Sequence, residues 1–258
     1  AKRIGNQTSY PKHPDSAVFF KDIREALGVY FRALGGDAGL ELSAALAKTK
    51  SHRLSLKMKL GMDEESLESA KRDSENLVLP SSIDFFADKA LNRKLYFWLA
   101  AFMVYAKRPA ENNVSTGFIG DLNTIRGALI TTKKVLENFP GLRNHYTILS
   151  TSIALARPKR SLPDEEQLME EILIAVLTNT APASDKSKIL LAKILDGDLA
   201  DIKEPMSYLP FLQIPLWGEV RKSEVRKRNE YDDPDMDDDD EDVKSQDARD
   251  GRKRKAAQ

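Results

Sequence analysis

PSSIDFFADKALNRKLYFWLAAFMVYAKRP, residues 80–109, is the stretch whose reading decides the fold. From Leu95 to Ala106 it carries no charge, and it is entered through Asp88, Lys89, Asn92, Arg93 and Lys94 and closed by Lys107, Arg108 and Pro109. The run is too short to cross a bilayer, which takes about 20 apolar residues, so the spacing predicts a helix of a protein core. Leu91, Leu95, Trp98, Leu99, Phe102 and Ala106 recur three and four apart. Phe97, Ala101, Val104 and Tyr105 make the remaining faces apolar as well. A helix of that kind is covered on all sides, and Leu95, Trp98, Leu99 and Phe102 are its expected core organisers.

Upstream, residues 1–15 read as a flexible arm broken by Pro11 and Pro14. Asp15 or Ser16 is placed to cap a helix through about Leu34, with Val18, Phe19, Ile23, Leu27, Tyr30 and Phe31 in helical phase and Gly35 and Gly36 as its stop. The period then changes. Leu40, Leu42, Ala44 and Leu46 alternate with small or polar residues, and so do Leu54, Leu56, Met58 and Leu60, which predicts a β-hairpin with one wet face. The polar stretch 62–76 has room for a short helix, and Leu77, Val78 and Leu79 supply a third strand.

Downstream, three or four amphipathic helices are expected. Leu122, Ile125, Leu129, Leu136 and Phe139 mark one, and Leu142, Tyr146, Leu149, Ile153 and Ala156 the next, with Pro140 at the junction. A third runs from Pro163 to about Thr178, with Asp164, Glu165 and Glu166 at the positive end of its dipole. Ser184 and Asp185 open the fourth, which Gly197 ends. Residues 205–219, with three prolines among Phe211, Leu212, Ile214, Leu216 and Trp217, cannot be helical and read as a partly buried extended strap. From about residue 221 the chain is expected to be a disordered charged linker: residues 229–250 hold twelve acids against two Lys and Arg. The expected class is therefore α+β, mostly α. An N-terminal helix and a small antiparallel sheet (about 40–80) pack on a helical bundle, and a single domain spans 16–220.

The formal net charge of the 258 residues is zero, so no global field draws the protein to nucleic acid or membrane. Cysteine is absent, which excludes disulfides and thiolate metal sites and fits a cytoplasmic location. The glycines at 35–39 lack the lysine and spacing of a phosphate-binding loop. His13, His52 and His145 lack the spacing of paired metal ligands. Glu166 and Glu170, one turn apart, read as part of a solvated helical face rather than as an acid–base pair, because no histidine converges on them. The acidic run near residue 237 lacks the glycine and the final glutamate of a calcium loop. No catalytic, cofactor-binding or metal-binding residue is expected, and the chain reads as no enzyme. An unrecognised helical-bundle enzyme or a nucleic-acid-binding module remain the alternatives by class. In the strap, Leu216, Trp217, Gly218 and Glu219 are candidates for contact with a partner.

FRALGG (31–36), HRLSLKMKLG (52–61), NRKLYFWLAA (92–101), FPGLRNHY (139–146), IPLWGE (214–219) and RDGRKRK (249–255) occur here in the order that resembles the N-terminal region of the NorD/CbbO family. The resemblance covers about residues 16–255. Members of that family continue into a von Willebrand factor A domain with an Asp-x-Ser-x-Ser metal site. The nearest string here, beginning at Asp185 and Ser187, falls inside an expected helix. The resemblance implies a non-catalytic adaptor between a hexameric MoxR-type AAA+ ATPase and a target metalloenzyme. The target it implies is nitric oxide reductase for the NorD branch, with Rubisco for the CbbO branch as the alternative.

Overall fold

The computed structural model describes residues 9–45, 68–108 and 116–222. In chain order these form β1 (Val18–Phe19), α1 (Phe20–Ala33), β2 (Glu41–Ala44), β3 (Ala70–Arg72), β4 (Asn76–Leu79) and β5 (Ser82–Ile83). They continue with α2 (Lys89–Tyr105), α3 (Gly117–Asn138), α4 (Arg143–Ala156), α5 (Asp164–Thr178), α6 (Asp185–Asp196) and β6 (Gly218–Val220). The class is α+β and mostly helical, as the periodicities imply. The expected strand Leu54–Leu60, together with His52, the first eight residues and everything beyond 222, lies outside the described residues.

Helix α2 forms the core. Every residue from Leu95 to Met103 is buried except half-buried Phe97, so its amphipathic stripe widens to nearly the whole circumference. Asp88 caps its start by accepting from the Ala90 amide at 2.7 Å. At its other end the Arg72 guanidinium donates to the carbonyls of Met103 and Ala106, two of the acceptors a helix C-terminus leaves open. Asn92, expected in a polar turn, is instead fully buried within the helix. Its amide donates to the Ser16 and Phe86 carbonyls, both at 2.8 Å, and its oxygen accepts from the Phe86 amide at 3.0 Å, so burial leaves nothing unpaired.

Helix α1 starts later than its capping residues suggest. Pro14–Ser16 form a single 3-10 turn, and Val18 and Phe19 then pair antiparallel with Ile83 and Ser82. The Ser16 hydroxyl donates to the Ala87 carbonyl at 2.5 Å rather than capping a helix. The second sheet has the order β2-β4-β3-β6. Within it β3 and β4 are antiparallel, while β2 pairs parallel with β4 and β6 parallel with β3. Leu77–Leu79 thus becomes a central strand, and Ala70–Arg72, inside the stretch read as a short helix, is a strand beside it.

In the remaining helices the buried faces include Leu122, Ile125, Leu149 and Ile153 as expected, while Leu129, Leu136 and Phe139 are only half-buried and others take their place. Leu122, Ile125 and Val135 of α3, Leu149 and Ile153 of α4, Met169, Ile172 and Leu173 of α5, and Ile194 of α6 are all buried without exposure. Helix α5 packs against both α4 and α6. Ser184 caps α6 by accepting from the Ser187 amide, and Gly197 closes it with φ 81°, a backbone state that a side chain disfavours.

Candidate functional site

Residues 204–217 run extended across the bundle, as their prolines require, and the helices hold them with a set of polar clamps. The Glu204 carboxylate accepts from the Phe118 and Ile119 amides at 2.5 and 3.2 Å, completing the N-terminus of α3 from outside the helix. Asp121 accepts from the Tyr208 hydroxyl at 2.6 Å and the Phe211 amide at 3.1 Å. Burial raises the Asp121 pKa, against the pull of those two hydrogen bonds. Glu166 accepts from the Leu209 amide at 3.0 Å. Further along, the Trp98 indole donates to the Leu216 carbonyl at 3.0 Å, joining the strap to the central helix.

The densest clamp is centred on Arg157, whose side chain is 2% exposed. It grips Glu170 of α5 with Nε to Oε1 at 2.6 Å and Nη2 to Oε2 at 2.7 Å. Its Nη1 donates to the Tyr10 hydroxyl at 2.7 Å and to the Leu212 carbonyl at 3.1 Å. Burial works against the Arg157 charge, but the bonds to Glu170 and Tyr10 more than offset it, and its pKa is raised. Burial likewise pushes the Tyr10 phenol up to about 12. One side chain therefore joins the N-terminal arm, the end of α4, α5 and the strap. Nothing in the sequence singles Arg157 out, since an arginine before a proline at a helix end looks like ordinary surface charge.

The acids read as a solvated face of α5 are structural acceptors: Glu166 for the strap, Glu170 for Arg157, and Glu171 for the Ser184 and Ser187 hydroxyls at 2.6 and 2.8 Å. Of the strap residues proposed for partner contact, Leu216 and Trp217 are buried at 0% and 6% exposure and serve as packing anchors. Gly218 sits where any side chain would collide with Met103 and the Ala70 backbone, which is why a glycine stands there. Only Glu219 is exposed, and it is held by Arg221 at 2.8 Å. Leu95, Trp98, Leu99 and Phe102 are buried as core organisers should be.

What the strap leaves open is a groove of about 480 Å³ beside α5 and α6. Phe118, Leu168, Leu190 and Ile202 give it apolar walls, and Lys186, Lys193 and Lys203 stand along it. Ile189 borders it at 62% exposure, and Met206 and Leu209 of the strap are exposed at 107% and 64%. Glu165 and Glu204 line it too, so the groove is apolar within and carries charges of both signs along its edge. Among the described residues no group of three or more His, Asp or Glu could hold a metal ion, and no helix is long and apolar enough to cross a membrane.

No protein-family model and no solved structure matches the chain. Among curated proteins it is 35% identical over 232 residues to Protein NorD of Brucella abortus (strain 2308), a match covering 90% of this chain and 35% of the relative. Protein NorD of Brucella suis biovar 1 gives the same identity and coverage. Protein NorD of Stutzerimonas stutzeri is 29% identical over 183 residues, 70% of this chain and 28% of the relative. The chain thus spans about a third of the length of the curated relatives it matches.

Proposed function

Because this chain belongs to the NorD family, we propose that it is the docking module of a non-catalytic adaptor serving nitric oxide reductase maturation. In this reading a MoxR-type AAA+ ATPase supplies the force, and the module seats the adaptor on that motor, leaving the grip on the target metalloenzyme to the part of the relatives' length that this chain does not span. The matched relatives carry the NorD name, which favours nitric oxide reductase over Rubisco as the target.

The observation that carries the docking role is the groove between α5, α6 and the strap. Its clamps are already satisfied by Asp121, Glu166 and Glu204, so the strap needs no partner to order it, whereas Ile189, Met206 and Leu209 stay exposed. A preformed apolar surface bordered by Lys186, Lys193, Lys203, Glu165 and Glu204 loses little conformational entropy on binding and is suited to repeated engagement of a motor. The test is co-elution of the full chain with its cognate ATPase hexamer, with and without ATP, using Ile189→Glu and Lys193→Glu variants. Loss of co-elution at unchanged melting temperature supports the groove; undiminished co-elution of the double variant places docking elsewhere.

A further inference from the structure

A second cavity, of about 320 Å³, takes its lining from α1, α2 and the start of α4. Tyr30, Phe97, Trp98 and Leu142 form its apolar interior, and Arg93, Lys94 and His145 its polar border. The aromatic rings are fixed by one another. Tyr30 meets Phe97 edge-to-face at 5.0 Å, and Trp98 lies 4.6 Å from Tyr146. The Arg93 guanidinium stands over the Phe97 ring at 5.7 Å.

No carboxylate lines this cavity, and among the described residues neither Arg93 nor Lys94 has an acidic partner within salt-bridge distance. Arg93 is exposed and Lys94 half-exposed, so both cations beside the aromatic hollow are open to carboxylates brought by a ligand. We propose that the cavity receives an aromatic side chain of a partner protein, carried in an acidic segment whose flanking carboxylates pair with Arg93 and Lys94. The choice of a side chain over a free small molecule follows from the lining. A small-molecule site sets a few polar groups inside to orient its ligand, whereas here Arg93 and His145 are exposed and the buried part of the lining, Trp98 with half-buried Phe97 and Leu142, is apolar. That layout fits one buried aromatic anchor with polar contacts around it. Arginine suits the role because its planar group can hold a carboxylate in two bonds while stacking on an aromatic ring.

The test is fluorescence anisotropy of a fluorescein-labelled peptide, one Phe flanked on each side by two Asp, titrated with the full chain. The proposal expects saturable binding that weakens about tenfold or more when the peptide's Phe becomes Ala or its Asp residues become Asn. Binding should be lost in Arg93→Glu/Lys94→Glu and retained in Lys159→Glu/Arg160→Glu, which makes the same charge change beyond the far end of α4. An Ala90→Trp variant, which crowds the mouth without altering charge, should also lose binding. Equal loss in both charge-reversed proteins, undiminished binding of the Ala-substituted peptide, or no saturation at millimolar protein would overturn the proposal. Full displacement by 3-phenylpropionate at the peptide's own affinity would also overturn it, by showing that a free aromatic acid suffices.

Discussion

Arg157 and Glu170 meet as a two-pronged pair, 2.6 and 2.7 Å long, with the arginine side chain 2% and the glutamate side chain 20% exposed. Removing one partner of such a pair strands the other charge. Glu170→Gln is expected to cost about 3 kcal/mol, near the lower end for a broken buried pair because Glu170 is not fully desolvated. The double replacement Arg157→Met/Glu170→Met should cost less than the sum of the single changes. Urea unfolding of the four proteins measures both.

Trp98→Ala deletes a 2% exposed ring and should destabilise by about 3–5 kcal/mol. Sequence position suggests a milder effect for Trp217 in the strap, but its 6% exposure puts Trp217→Ala in the same range. Trp98→Phe, which keeps most of the ring and frees only the Leu216 carbonyl, should lose less than Trp98→Ala. Thermal midpoints of the three variants decide the order.

Gly218→Ala drives a methyl group into Met103 and the Ala70 backbone. Since the methionine can yield and the backbone cannot, β6 must move off β3, at about 1–3 kcal/mol. Hydrogen exchange should show faster loss of protection at Arg221, whose amide bonds to the Arg72 carbonyl at 2.8 Å, than at residues of α5.

Acid should loosen the α5–α6 junction. The Ser184 and Ser187 hydroxyls hold the Glu171 pKa below its ordinary value of 4.5. A depressed folded-state pKa means that this stabilisation is present above the unfolded value and is lost as pH falls through the folded one. Glu171→Gln should therefore be less stable than the parent at pH 7, with the difference shrinking below about pH 4. Asp121, raised by burial, has the opposite sign. Its protonation is favoured by the fold, so Asp121→Asn should cost little at neutral pH, while Asp121→Ala, which strands the Tyr208 hydroxyl and the Phe211 amide, should cost about 1–3 kcal/mol. Stability measured from pH 3 to 7 separates these cases.

The elements that the sequence discloses are those with a local signature. Leu95–Ala106 announces a buried helix by composition alone, Ser184 and Gly197 bracket α6, and the prolines at 205, 210 and 215 exclude a helix from the strap. The pairings it conceals are those between distant residues. Alternation at Leu40–Ala44 identifies a strand but not its neighbour, and a hairpin is the nearest inference; the parallel partner is Asn76–Leu79. The same holds for the site. Three lysines spread over residues 186–203 have no visible relation until α6 and the strap enclose one groove, and Arg157 acquires meaning only from Tyr10, Glu170 and Leu212, none of them adjacent in the chain.

The parallel pairing of β6 with β3 also bears on how the chain comes to be folded. Ala70 lies opposite Gly218, so about 150 residues must leave the ribosome between the two strands, on the order of 10–30 s of synthesis. Through that interval β3 has β4 on one side and an unsatisfied edge on the other, the geometry that invites pairing with a foreign strand. A contact so distant in sequence is slow to close and late to form. The nascent protein should accordingly depend on chaperones until the strap arrives, and truncation ahead of Gly218 should yield aggregates rather than a smaller soluble domain.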